Sequence, residues 1–370
     1  MRVLLATPFG ALGRGGIDRL TDLMVAGIRE HPELSVDPVR LVTRGQRNLL
    51  HASLVFARAV AQLWLAAMRR KVDLVHINLA SSGSAYRKMM LAALARRLGV
   101  PYVVHLHSGR FDQFWRTASP RIATAVDRLF ANSHAIIVLG EYWAGVVSER
   151  VPTARRKTFV LANATPPSPC EREPADDGRV RITFLGKIGP NKGTRQLIEA
   201  LATMAGRNDW IATICGNGDV DEARALADKL GIADQSVFPG WLDAGATAAQ
   251  LRKTDIFVLP SFSEGLPMAI LEAFSWGIAV VATPVGSIPD VVEHERNGLI
   301  VPVGDVPALA RALRRLIEDA ELRCRLGKAA RQDHAARFDI NVYVSRLATI
   351  WRAAVACEAE AGKHAVPSIG

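Results

Sequence analysis

Glu264 and Glu272 are the residues of this chain whose spacing carries the most chemistry. They sit in Pro260-Ser261-Phe262-Ser263-Glu264-Gly265-Leu266-Pro267-Met268-Ala269-Ile270-Leu271-Glu272, after an apolar strand-like run from Asp255 to Leu259. Pro267 suits the first turn of a helix, where its missing N–H has no intrahelical partner to lose. Gly265 lets a ligand approach the backbone closely. Free N–H groups at such a helix start favour an anion, phosphate included. Eight helical residues span about 12 Å. That reach suits one carboxylate on a sugar, the other on a ribose, and a diphosphate between. The plain alternative is a strand–helix unit with two solvated glutamates, and spacing alone does not separate the two.

Other polar groups fall at similar places. Lys187 and Lys192 follow an apolar run, Arg181–Leu185, with Gly186 between. Two cations there could neutralise a departing diphosphate, or be ordinary surface lysines. Gly216 and Gly218 close the next run, Trp210–Cys215. Near the start, Gly10-Ala11-Leu12-Gly13-Arg14-Gly15-Gly16 joins a strand to a helix, as a turn that cradles phosphate does and as many turns do for geometry alone. His105 and His107 flank Leu106 at a strand end, so alternation puts both on one sheet face. A metal would need a third ligand, and none has matching spacing.

Those groups need a scaffold, and the patterning supplies one. Candidate strands are Arg2–Thr7, Val72–Ile77, Tyr102–Leu106, Ala135–Leu139 and Thr158–Leu161, alternating with helices at Ile17–Glu30, Leu49–Arg70, Ala85–Leu98 and Arg121–Phe130. Alternation of this kind predicts a parallel sheet covered on both faces. A Pro-rich, acidic stretch at 166–178 reads as a linker. The alternation then restarts with Arg181–Leu185, Trp210–Cys215, Ser236–Phe238, Asp255–Leu259 and Ile278–Ala282. The fold class is therefore α/β, two Rossmann-like, doubly wound parallel-sheet domains, at 1–165 and 179–340, followed by a helix and tail at 341–370. Two such domains facing each other would leave a central cleft at the strand C-termini, where ligands of open α/β sheets bind.

Composition narrows the partners. Residues 1–170 hold 23 Lys and Arg against 10 Asp and Glu, a charge of +13, while residues 171–370 carry −3. The basic half suits either a solvated Arg-rich surface or an anionic membrane surface. It lacks an RNP-like or helix-turn-helix signature, so no nucleic acid is expected. Four scattered cysteines read as reduced thiols. Leu49–Met68 is long and apolar but contains Arg58, which argues against a membrane span. It reads as an internal helix with a basic end, Arg69-Arg70-Lys71, or as an interfacial one. The start of the chain lacks a signal-peptide pattern. The expected location is the cytoplasm, with a peripheral place on the inner face of the cell membrane as the further option.

Taken in order, Gly15-Gly16, Phe184-Leu185-Gly186-Lys187 with Asn191-Lys192-Gly193, Cys215-Gly216-Asn217-Gly218, the Glu264–Glu272 segment and Gly286-Ser287-Ile288-Pro289-Asp290 resemble the motifs of glycosyltransferase family 4. These are retaining, nucleotide-sugar-dependent enzymes of the GT-B architecture, with two facing Rossmann-like domains. The resemblance spans almost the whole chain and is loose between Thr43 and Asp73. It implies that Glu264 binds sugar hydroxyls and Glu272 the ribose. Gly265 and Leu266 give backbone contacts to phosphate and sugar, and Gly186, Gly216 and Gly218 line the donor pocket. Gly15 and Gly16 meet the diphosphate. It also implies that Lys187 and Lys192 neutralise that diphosphate, although the family usually has Arg at the position of Lys187. His107 matches the histidine near the transferred sugar. Ser108 and Arg110 fall on the acceptor side, with Arg110 a contact for an anionic group. A final helix crossing back to the first domain is implied too.

The implied activity is transfer of a hexose from a UDP- or GDP-sugar to a glycan or polyprenyl-linked glycan, with retention, in surface polysaccharide biosynthesis. The reactive set would be His107, Lys192 and Glu264, with no metal and no cofactor. A nucleotide-sugar epimerase or hydrolase of the same shape, or a non-catalytic nucleotide-sugar-binding subunit, are the alternatives.

Overall fold

The computed structural model describes residues 1–11, 15–45, 49–173 and 177–364, without the side chains of Leu49 and of residues 358–364. Residues 12–14 of the glycine turn and 174–176 of the expected linker lie outside that set.

The chain forms two units, Met1–Asn163 with Ile340–Gly370, and Ala164–Asp339. The first unit runs β1 (Arg2–Thr7), α1 (Gly16–Glu30), β2 (Asp37–Val42), α2 (Leu49–Met68), β3 (Leu74–Leu79), α3 (Gly83–Arg97), β4 (Tyr102–Leu106), α4 (Phe111–Thr117), α5 (Pro120–Ala131), β5 (Ala135–Val138), α6 (Glu141–Arg150) and β6 (Thr158–Val160). Its six strands are all parallel, in the order β2-β1-β3-β4-β5-β6. Every residue of β3, β4 and β5 is buried, as expected for central strands with helices on both faces.

The second unit runs β7 (Val180–Leu185), α7 (Thr194–Ala202), β8 (Trp210–Cys215), α8 (Val220–Lys229), β9 (Ser236–Gly240), α9 (Ala244–Arg252), β10 (Ile256–Leu259), α10 (Met268–Ser275), β11 (Ala279–Ala282), β12 (Gly298–Ile300), α11 (Val306–Glu318) and α12 (Ala320–Asp333). Its parallel sheet is ordered β12-β11-β10-β7-β8-β9. The last helix, α13 (Ile340–His364), belongs to the first unit, where it packs on α1, β4 and β5. A side chain at Gly27 of α1 would press on Val344 and Ile340, so glycine lets these two helices approach closely.

Three expectations change. The stretch read as a linker is fastened to the second unit: Arg172 donates to the Thr254 carbonyl at 2.8 Å and to Asp255 at 3.1 Å, and the Glu173 N–H donates to the Arg252 carbonyl. Two strands escaped the pattern. β2 starts with Asp37-Pro38 and lies at a sheet edge, where a missing N–H is tolerated. β12 has only three residues. Finally, α2 is not an internal helix. Ala59 and Leu63 alone are buried among its described side chains, Val55, Phe56 and Val60 are half-buried, and Leu50, Leu54, Trp64, Leu65 and Met68 face outward.

Candidate functional site

In each sheet, chain order reverses at one point, between β1 and β3 and between β7 and β10. Loops leave the two strands there in opposite directions and open a crevice beyond their C-terminal ends. On the first unit Gly15 and Gly16 follow β1, while His107, Ser108 and Arg110 follow β4, the strand next to β3; on the second unit Gly186, Lys187 and Lys192 follow β7, the Glu264–Glu272 segment follows β10, and Gly216 and Gly218 follow the adjoining β8.

On the second unit, β7 delivers Gly186 and Lys187. A tight turn then brings Lys192 back beside them, and a Cβ on Gly186 would lie 3.7 Å from Lys192 Cε. From β10, Pro260 and Ser261 lead to Glu264. Its Oε1 accepts from Lys192 Nζ at 2.5 Å and from Ser261 Oγ at 2.6 Å. Glu264 is 9% exposed, so its charge is tied down inside the protein rather than solvated. Backbone bonds lock the two loops together: the Phe262 N–H donates to the Asn191 carbonyl, and Asn191 Nδ2 donates to the Ser263 carbonyl at 3.3 Å. Lys192 is thus already partnered. Lys187 is exposed and, among the described residues, makes no ion pair, which leaves it the freer of the two cations.

The glycines here answer to packing. Gly216 has φ +156, and a Cβ on it would sit 1.7 Å from the Gly186 carbonyl oxygen; at Gly218, φ +110, it would sit 2.2 Å from that of Ile188. These residues let the ends of β7 and β8 touch. Gly286 plays the same part against the carbonyls of Glu264 and Gly265. Gly265 and Leu266 then lead to Pro267, which caps α10 from outside instead of entering it; the helix begins at Met268 with no side-chain cap. The Ile270 N–H donates to the Pro267 carbonyl at 3.3 Å, and no side-chain cap takes the N–H groups of Met268 and Ala269. Glu272 lies within α10, partly exposed. Asp290 sits in a turn, its N–H donating to the Ser287 carbonyl.

On the first unit, Gly15 caps α1 and Gly16 starts it, both with ordinary room. Among the described residues a Cβ on Gly16 meets nothing within 4 Å, and one on Gly15 meets only Asp18 Oδ2 at 3.4 Å. Neither packing nor backbone geometry demands glycine here. Asp18, missed in the sequence, holds the turn: its Oδ1 accepts from Thr7 Oγ1 at 2.6 Å and from the N–H groups of Phe9 and Gly10. Beneath lies Lys88, fully buried, donating to the Ala6 carbonyl at 3.0 Å and Thr43 Oγ1 at 2.9 Å. Burial drives its pKa well below the usual lysine value, helped by Arg87.

His107 follows β4 and is half-buried. Its Nε2 meets Asn78 Oδ1 at 2.9 Å, and its ring lies 3.9 Å from that of His105. Behind it a buried chain runs inward. Asn78 Oδ1 also meets His76 Nε2 at 3.2 Å, His105 Nδ1 meets His76 Nε2 at 3.3 Å, and Trp351 Nε1 of α13 donates to His76 Nδ1 at 3.0 Å. Burial lowers His76 to about 4 and His107 to about 3, and holds His105 well below the usual histidine value, so all three rings are neutral near pH 7. The Trp351 donor makes His76 Nδ1 an acceptor and puts its proton on Nε2. Asn78 Oδ1, an acceptor, then fixes the His107 proton on Nε2, leaving Nδ1 free to accept. Sequence reading found His105 and His107 but not this chain. Its signal was present, since His76 and Asn78 alternate within the otherwise apolar Leu74–Leu79. Ser108 Oγ donates to Ser81 Oγ at 3.3 Å, and Arg110 is exposed at the start of α4. Among the described residues no three His, Cys, Asp or Glu side chains converge to hold a metal.

Comparison with known proteins agrees with this architecture. Residues 171–333 match the family description "Glycosyl transferases group 1", and residues 5–164 match "Glycosyl transferase 4-like domain". The 2-deoxystreptamine glucosyltransferase of Streptomyces kanamyceticus is 29% identical over 363 residues, covering 87% of this chain and 92% of its own. Among solved structures, sucrose-phosphate synthase from Thermosynechococcus elongatus superposes with a TM-score of 0.76 at 18% identity, over 96% of this chain and 99% of its own. The Anabaena protein HepE in complex with UDP-glucose gives 0.73 at 19%, over 94% and 99%. Two six-stranded parallel sheets with flanking helices are the GT-B fold, and the chain belongs to the group 1, family 4-like glycosyltransferases.

Proposed function

We propose that this glycosyltransferase moves a hexose from a nucleotide diphosphate sugar to a glycan or lipid-linked glycan, with retention and without a metal. The observation that carries the reading is the Ser261–Glu264–Lys192 constellation, with Lys187 on the same turn after β7, at the switch point of the second sheet. Lys192 holds the Glu264 carboxylate ready to accept from sugar hydroxyls, and Lys187 is left to meet phosphate. Glu272, eight residues on, takes the ribose hydroxyls. The open backbone at Gly15 and Gly16 offers N–H groups to the diphosphate, and His107 Nδ1 accepts from the sugar. A UDP-sugar is the preferred donor, in keeping with the fold neighbour solved with UDP-glucose; GDP-sugars are the alternative.

In the reaction, the bond from the sugar C1 to the phosphate oxygen breaks and a bond from C1 to the acceptor oxygen forms on the same face. The diphosphate leaves with the bonding electrons, and its oxygen takes the acceptor's proton. Lys187, Lys192 and the N–H groups at the start of α10 stabilise the charge that develops there. Retention and independence of metal follow from this reading.

For the acceptor, a role in surface polysaccharide biosynthesis is preferred to the small aminocyclitol that the relative's name suggests. Residues 38–111, which include the acceptor-side Ser108 and Arg110, hold 12 Lys and Arg and one acid, although Lys88 is buried and Arg40 pairs with Asp22. The remaining excess of cations repels a cationic amine and attracts a phosphate-bearing acceptor. Calorimetric titration with a panel of UDP- and GDP-sugars tests the donor. Selective binding to one, weakened at least tenfold in Glu272→Ala, is the expected result. Absence of binding to every donor would overturn the transferase reading, and activity lost to chelator and restored by Mg²⁺ would overturn metal independence.

A further inference from the structure

The outward face of α2 is apolar along its length. Leu50 is 78% exposed, Leu54 64%, Trp64 48% and Met68 57%, with Leu65 also exposed. At 3.6 residues per turn these side chains, with Ala57 and Ala61, fall within one arc of roughly 120°. The opposite side of the helix carries Ala59 and Leu63, which are buried. A neighbouring helix extends the surface, since α3 packs against α2 and exposes Tyr86, Met90 and Ala93 at helical spacing. Monomers rarely expose apolar patches of this extent without a partner.

The charge around the patch identifies that partner. Arg58 lies at the edge of the α2 stripe, and Arg69, Arg70 and Lys71 are exposed at its end. Beyond α3, which also packs against α5, a pocket of about 240 Å³ is lined by Arg96, Arg121 and Arg128 with no acidic residue in its wall. Apolar side chains ringed by cations match a bilayer surface with anionic headgroups. A second copy of this chain fits badly, because a symmetric contact would bring the same cations together. Insertion across the bilayer is also a poor fit. The helix is the crossover between β2 and β3, both of which pair with β1, so it is bound to lie against the sheet.

We infer that the α2–α3 face docks the protein flat on an anionic bilayer, with the apolar stripe entering the headgroup boundary and the arginines taking lipid phosphates. The inference stands on exposure and charge, and its test reads no turnover, so it can fail without touching the transferase reading.

The test is co-sedimentation of the full-length protein with vesicles of phosphatidylcholine alone or mixed with phosphatidylglycerol. Binding is expected to the mixed vesicles, to fall steeply between low and high salt, and to drop about 10²-fold or more when Arg69, Arg70 and Lys71 all become Glu, at roughly a factor of five per cation lost. Leu54→Glu with Leu65→Glu should abolish it as well. Both variants change exposed side chains, and circular dichroism verifies their fold. Trp64 adds a local readout: its emission should shift to the blue on mixed vesicles, and the shift should vanish in Trp64→Phe. Absence of binding, or binding indifferent to both variants, would overturn the inference. So would a dimer in sedimentation velocity that the leucine variant dissolves while vesicle binding is absent.

Discussion

Replacing Lys192 by Met tests the core of the second unit's site. Glu264 Oε1 accepts from Lys192 Nζ at 2.5 Å and Ser261 Oγ at 2.6 Å, and the carboxylate is nearly sealed from water. Removing the ammonium leaves a buried negative charge with one hydroxyl donor. Breaking a buried pair in this way costs about 3–5 kcal/mol. Because the lysine side chain is 23% exposed, we take the lower end, about 3 kcal/mol. The reverse change, Glu264→Gln, is milder. The ammonium can turn to water, and Ser261 can still donate to the amide oxygen, for a loss of about 1 kcal/mol. In the double variant no charge is stranded, so its cost should fall short of the sum by about 1–2 kcal/mol.

Native-state hydrogen exchange at the amides of β7 and β10 measures this within the second unit. A parallel titration with UDP should show Lys192→Met weakening binding about tenfold or more, as one charge-assisted contact to phosphate is lost. Costs that add within about 0.5 kcal/mol, or a Lys192→Met cost below about 1 kcal/mol, would refute the claim that Lys192 holds the Glu264 charge.

Three further outcomes follow from the geometry. Gly216→Ala forces a methyl to 1.7 Å from the Gly186 oxygen and should destabilise the second unit, whereas Gly16→Ala meets nothing, should leave the melting temperature unchanged and should weaken nucleotide-sugar binding; equal melting losses in the two would contradict this. The folded pKa values of His76 and His107 are depressed to about 4 and about 3, so between about pH 6.5 and those values the unfolded chain binds protons that the folded one does not. Stability conferred by these histidines is complete above about pH 6.5 and should fall on acidification by up to about 1.4 kcal/mol per pH unit for each; a first-unit stability flat from pH 7 to 4 would exclude it. Asn78 is a positioning residue in this reading, and Asn78→Ala should let His107 mix tautomers in ¹⁵N spectra and lower kcat by up to about 10²-fold with little change in donor affinity; an unchanged tautomer would refute the role.

What the sequence made legible was whatever rests on local pattern. Parallel sheets announce themselves as apolar runs because their central strands are buried on both faces, and β3, β4, β5, β10 and β11 were all found that way. The edge strands β6 and β9 were found as well, whereas β2, interrupted by Pro38 and little buried, and β12, only three residues long, passed unnoticed. The fate of α2 was illegible for another reason: an apolar helix reads alike whether its partner is protein or lipid, and only its exposure separates the two.

The site divides along the same line. Glu264 and Lys192 are 72 residues apart in sequence, and no local rule pairs them; their contact exists because β7 and β10 are neighbours at a reversal of strand order. Trp351 and His76 are separated by 275 positions and meet because α13 returns to the first sheet. A buried histidine whose acceptor nitrogen takes a proton donor from a distant helix has its tautomer set by the fold. The tautomer of His107 therefore depends on a helix far away in sequence. Trp351→Phe, which keeps the ring but removes that donor, should loosen the tautomer of His107 while leaving the packing of α13 largely intact.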